Sequence, residues 1–128
     1  MIYYIAEIGL AHDGSLGIAH SYIDALSKTG INAIKFQMHL AEYESSEHEK
    51  FRVNFSYEDK SRFDYWKRTS FNLEQWIGLK HHCEKLNLDF LVSPFSKQIM
   101  LAPSPKTMVF LVLFKSRARH GKSPFSFE

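Results

Sequence analysis

The chain has 128 residues and a formal net charge of +2, with 45% hydrophobic and 23% charged residues. That length buries one core, the composition is globular, and so mild a charge gives no electrostatic reason to expect nucleic acid or a membrane surface as a partner. The single cysteine, Cys83, excludes an internal disulfide framework and fits a reducing cytoplasm.

No signal peptide is expected in residues 1–8, which lack a basic start and a long apolar region before a cleavage site. The longest apolar run, residues 108–114, is far short of the ~20 residues of a spanning helix.

Residues 2–8 are rich in aromatic and β-branched side chains and end at Gly9, which predicts a buried strand. A polar turn holding His12, Asp13 and Gly14 follows, and Ser15 is placed to cap a helix. Ile18, Ala19, Tyr22, Ile23 and Leu26 recur at helical spacing, with Lys28 in the last turn and Gly30 at the C′ position. Residues 33–37 give a second strand, parallel to the first.

Residues 38–70 follow neither period and mix acidic residues with Tyr43, Phe51, Phe55, Tyr57, Phe63, Tyr65 and Trp66. So long an insert in a small domain is usually functional, and its aromatics predict an ordered lid. Asn72 with Gln75 forms a capping box, and Leu73, Trp76, Leu79, Cys83 and Leu86 form the apolar stripe of a helix. Residues 88–92 give a third strand that Pro94 turns into a loop. Beyond about Lys97 the pattern changes: a Pro/Ser breaker cluster, an apolar run and a basic end, with no connecting helix at the earlier spacing.

Three strand ends carry polar residues that strand interiors do not need: Glu7, Lys35 with Gln37, and Ser93. Alternation sets Lys35 and Gln37 on one face and Ile34 and Phe36 on the other. A lysine in mid-strand is costly unless paired. One reading is an anion site in which Lys35 meets a phosphate or carboxylate, Gln37 and Ser93 hydrogen-bond it, and Glu7 is acid, base or counter-ion. The other is a structural Glu7–Lys35 ion pair.

His12 is expected to bond its own turn rather than a metal, His81 and His82 to be solvated, and Cys83 to be an inert core residue. Gly9, Gly14 and Gly17 make no dinucleotide fingerprint, and there is no Walker loop.

The motifs together resemble one family. Ala6-Glu7-Ile8-Gly9 with His12-Asp13-Gly14-Ser15 resembles the opening of the sialic acid (N-acetylneuraminate) synthases. Ala33-Ile34-Lys35-Phe36-Gln37 is similar to their Val-Lys-Phe-Gln-Thr strand, and Ser93-Pro94-Phe95-Ser96 to their Thr/Ser-Pro-Phe-Asp/Ser turn. The insert from Glu44-Ser45-Ser46 to Tyr65-Trp66-Lys67-Arg68 is similar to that of bacterial members. Two positions depart from the pattern: Ala11 replaces the family's asparagine, and Met38 its threonine.

The resemblance implies a (β/α)8 TIM barrel, of which residues 1–98 would be an N-terminal fragment of about three βα units. Residues 99–128 are then a divergent tail with no domain assigned, for which an out-of-frame origin is testable in the coding DNA. It further implies a homodimer that condenses phosphoenolpyruvate with N-acetylmannosamine or a related amino sugar, releasing phosphate, with Mn2+ or Mg2+. Carried over, Lys35, Gln37 and Ser93 bind phosphoenolpyruvate and Glu7 is the catalytic carboxylate. The family's metal ligands lie on later strands, so none is assigned here and the fragment is expected to be inactive. The rival expectations are a non-catalytic α/β module that binds phosphate or a protein partner and, less favoured by the acidic insert, a nucleic-acid binder.

Overall fold

The computed structural model describes residues 2–53, 56–101 and 109–110. Ile5–Gly9 (β1) is followed by Leu16–Leu26 (α1) and Ala33–Met38 (β2). The insert then supplies Ala41–Glu44 (α2) and Arg62–Thr69 (α3), before Leu73–Lys85 (α4), Asp89–Pro94 (β3), Lys97–Leu101 (α5) and Val109–Phe110 (β4). All adjacent strands pair in parallel, in the order β1-β2-β3-β4. A parallel pair cannot be joined by a tight turn, so β1 reaches β2 by a crossover through α1, and β2 reaches β3 by one that includes α4.

Local chemistry sets the helix starts. Ser15 takes up the Ile18 N–H, and Ser61 does the same for Asp64. Asn72 and Gln75 close the capping box of α4 in both directions. Each satisfies N–H groups that the first turn leaves without a partner.

One face of the sheet, bearing Ile8, Ile34, Phe36, Leu88, Phe90 and Val92, packs on Ala19 and Ile23 of α1 and on Trp76, Leu79 and Cys83 of α4. Phe36 lies at the centre, 5.8 Å from the Trp76 ring and 5.7 Å from Phe90. Burial holds the Cys83 thiol up at about 12, so it stays a protonated core group as expected.

Four expectations are corrected. The first strand is shorter than residues 2–8 and is not buried along its length: Ile2, Tyr3, Tyr4 and Ile5 are exposed because β1 is a sheet edge. Helix α1 ends at Leu26 with Ser27 as its cap, and Gly30 serves the next turn at φ +79°. His82 is only partly solvated; its Nδ1 lies 2.8 Å from Nδ1 of His20 and its Nε2 2.9 Å from Asp24, because this side of α4 packs on α1. A short helix, α5, does lie between β3 and the apolar run, within which Val109 and Phe110 pair with Leu91 and Val92.

The insert is ordered where described, as two helices. Among the described residues no helix is long and apolar enough to cross a membrane.

Candidate functional site

The face of the sheet turned away from α1 and α4 carries the polar strand ends. Glu7 stands directly opposite Lys35, and Gln37 opposite Ser93. The Lys35 ammonium, with its side chain 13% exposed, is ion-paired with the Glu7 carboxylate, which is 43% exposed. The costly mid-strand lysine is therefore paired, and its partner remains open to solvent.

Gly9 makes the next link. The β1–β2 register slips between Glu7 and Gly9, and Gly9 sits at φ +57°. A Cβ there would lie 3.2 Å from Gln37 Nε2 and 3.5 Å from Glu7 Oε1. Glycine thus lets the Gln37 amide and the Glu7 carboxylate converge at the strand ends.

Ser93, in β3 beside Gln37, is buried with its Oγ lacking a hydrogen-bond partner among the described residues, and the Oγ of Ser96, three residues on, is buried without one too. A buried hydroxyl without a partner is rare, and two within four residues at one strand end mark a place where a ligand can complete the bonding. The four residues expected from the sequence are brought together: one cation, one amide, one hydroxyl and one exchangeable carboxylate. That set suits an anion.

The β1–α1 turn closes one side. His12 accepts the Gly14 N–H at Nδ1, as a turn residue should, but it is also completely buried, stacked 4.5 Å from Phe71. Burial lowers its pKa to about 4, against the weaker pull of Asp13. The insert locks onto this turn through Arg68, which donates to the Asp13 carboxylate at 2.9 Å, to the Asp13 carbonyl at 3.0 Å and to Asp59 at 2.7 Å. Hydrogen bonds from Arg68 hold the Asp59 carboxyl below its usual range. Between turn and insert lies a cleft of about 380 Å³, lined among others by Asp13, Tyr57, Tyr65 and Arg68.

Gly14 makes the close approach possible. It sits at φ +80°, and a Cβ there would lie 2.6 Å from the Arg68 carbonyl oxygen. Gly14→Ala is expected to lose about 2 kcal/mol through strain and collision. Urea unfolding would measure the loss, and resistance of the insert to proteolysis should fall with it. A variant as stable as the parent would refute the contact.

Sequence reasoning passed over His39. It is buried, its Nδ1 lies 2.6 Å from Glu44 Oε2, and its ring is stacked between Trp66 at 4.9 Å and Phe95 at 4.3 Å. The available signal was its place two residues beyond Gln37, with a glutamate a helical turn further on.

The family resemblance implies a divalent metal. Among the described residues no group of three or more His, Cys, Asp or Glu side chains could hold one. The strand-end cluster has a single carboxylate, already committed to Lys35. These residues do not fit a metal site.

A parallel α/β sheet with its polar groups gathered at the strand ends defines a class: proteins whose ligands lie at the carboxyl edge of the sheet. Residues 22–107 match the model of the NeuB family. The chain belongs to that family.

It is 28% identical over 99 residues to the N-acetylneuraminate-9-phosphate synthase of Drosophila melanogaster, covering 76% of this chain and 27% of that protein. To the N,N'-diacetyllegionaminic acid synthase of Campylobacter jejuni it is 29% identical, over 71% of this chain and 28% of the relative. A solved N-acetylneuraminic acid (sialic acid) synthetase from Leptospira borgpetersenii, in complex with citrate, superposes with a TM-score of 0.58 at 30% identity. That match covers 74% of this chain and 30% of the solved one. The chain therefore spans about a quarter to three tenths of the length of these relatives.

Proposed function

We propose that this chain forms the phosphoenolpyruvate-binding edge of a sialic acid synthase-type enzyme, built on the first strands of a (β/α)8 barrel. The observation that carries the reading is the Lys35–Gln37–Ser93 cluster on the sheet face turned away from α1 and α4, which brings together a cation, an amide and a hydroxyl unsatisfied among the described residues. The parallel order β1-β2-β3-β4, with the core helices on one face, supports the barrel.

In this reading Lys35 neutralises the phosphate or carboxylate of phosphoenolpyruvate, while the Gln37 amide and the Ser93 hydroxyl donate hydrogen bonds to it. Glu7 gives up Lys35 to the ligand and becomes a carboxylate beside the reacting carbon, placed to hold or move a proton. The nucleophilic carbon of phosphoenolpyruvate adds to the aldehyde carbon of an amino sugar, whose oxygen takes up a proton. Water adds to the cationic carbon this leaves and gives up a proton, and breaking of that carbon's bond to the phosphate oxygen releases phosphate. The amino sugar belongs to the same proposal on the strength of the named synthases; the homodimer, the divalent metal and the cytoplasmic setting belong to it through the motif resemblance alone.

Glu7→Gln separates this reading from a purely structural ion pair. It frees Lys35 without removing it, so phosphoenolpyruvate affinity measured by calorimetry should rise about threefold to tenfold. A structural pair predicts a small loss of thermal stability and no gain in affinity.

A further inference from the structure

His39 follows Lys35 and Gln37 at the two-residue spacing of extended chain, just beyond the end of β2. Its Nδ1 is committed to the Glu44 carboxylate at 2.6 Å, and the second Glu44 oxygen accepts the Leu40 N–H at 2.8 Å. Both side chains are nearly buried, 6% and 7% exposed. The carboxylate thus fixes the ring, and its stacking between Trp66 of α3 and Phe95 prevents rotation. Phe95 follows β3 and lies between Ser93 and Ser96, whose hydroxyls have no hydrogen-bond partner among the described residues. The Phe95 N–H bonds the Met38 carbonyl, and the Ser70 hydroxyl the carbonyl of His39 itself, so the backbone at this corner is tied down as well.

With Nδ1 held by the Glu44 carboxylate, Nε2 is the ring nitrogen left to meet a ligand, and no hydrogen bond to it is found among the described residues. A carboxylate that orients an imidazole and leaves its far nitrogen free is the arrangement by which proteins hold a proton at one chosen atom. The charged groups around the ring are few. Glu44 faces it from α2. Arg62 lies over the Trp66 ring at 4.4 Å and is neutralised by Glu49 at 2.7 Å. Lys35, on β2, is paired with Glu7.

We infer that His39 is a further ligand of the anion site: its imidazolium Nε2–H donates to an oxygen of the bound tetrahedral dianion, and Glu44 is its positioning residue. Affinity for the anion is then coupled to uptake of one proton at His39. The inference rests on the anion-site reading of Lys35, Gln37 and Ser93.

The test uses sulfate, a tetrahedral dianion that does not itself titrate between pH 5.5 and 8.5, at constant ionic strength. Wild-type affinity should fall about tenfold across that range as the charge-assisted bond is lost. His39→Asn keeps an N–H where Nδ1 stood and removes Nε2; its affinity should be flat with pH and equal to the wild-type value at pH 8.5. Glu44→Gln removes the charge and leaves one acceptor oxygen in place of two, so the midpoint of the pH dependence should move to lower pH.

A His39→Asn protein that binds Lys35-dependently and retains the wild-type pH profile overturns the inference while sparing the anion site. An unmoved midpoint in Glu44→Gln overturns the positioning role. Wild-type protein that fails to bind sulfate, or binds it equally well as Lys35→Ala, overturns the anion site and the inference together.

Discussion

Lys35→Ala is expected to weaken phosphoenolpyruvate binding by roughly 10- to 100-fold, the worth of a hydrogen bond to a charged group. The upper end is favoured, because the substitution also leaves the Glu7 carboxylate unneutralised beside the incoming anion. Stability should change little. Glu7 is 43% exposed, so once Lys35 is gone it is hydrated rather than buried as an orphaned charge. Calorimetric titration at fixed ionic strength measures the first quantity and thermal unfolding the second. Unchanged affinity would return the Glu7–Lys35 pair to a structural role.

The second large effect is loss of stability in mild acid through His12. Its folded-state pKa of about 4 lies below the 6.5 of an unburied imidazole. Between these values the unfolded chain binds a proton that the folded chain refuses. Stability from this group is therefore complete above about pH 7, declines as pH falls through 6.5, and levels off below about pH 4. The full span is worth up to about 3 kcal/mol.

Other groups titrate in the same direction. His20 is also lowered, chiefly by burial, and Asp59 is held low by Arg68, so wild-type protein alone cannot isolate the effect. His12→Gln can. Urea unfolding at pH 7 and pH 4.5 should show a markedly smaller acid loss in the variant than in the wild type. Equal losses would show that His12 charges freely and is not confined by Phe71 and Phe36.

The site and the fold differ in how much of each could be read from the chain. The four strand-end residues stood out individually, because Glu, Lys, Gln and Ser at the ends of apolar strands break a pattern that burial otherwise enforces. Their meeting could not be read so directly. It depends on the register that sets Glu7 opposite Lys35 and Gln37 opposite Ser93, and on the irregularity at Gly9 that draws Gln37 toward Glu7. The place of the insert was likewise hidden. Arg68 and Gly14 are far apart in sequence, and nothing local to either announces that a carbonyl of one fills the space a Cβ would need at the other.

What the sequence by itself determined is local: strand cores from apolar runs, the starts of α1 and α4 from Ser15 and from the Asn72–Gln75 box, and the absence of a disulfide from a lone cysteine. These follow from contacts within a few residues, or from composition. Tertiary structure alone decided that β1 is an exposed edge and that Val109 and Phe110 form a fourth strand. It alone made His82 bond His20 across two helices, and clamped His39 between Trp66 and Phe95. Those outcomes depend on which distant surfaces meet, and the free energy of meeting comes from apolar area and pairing that no single segment contains.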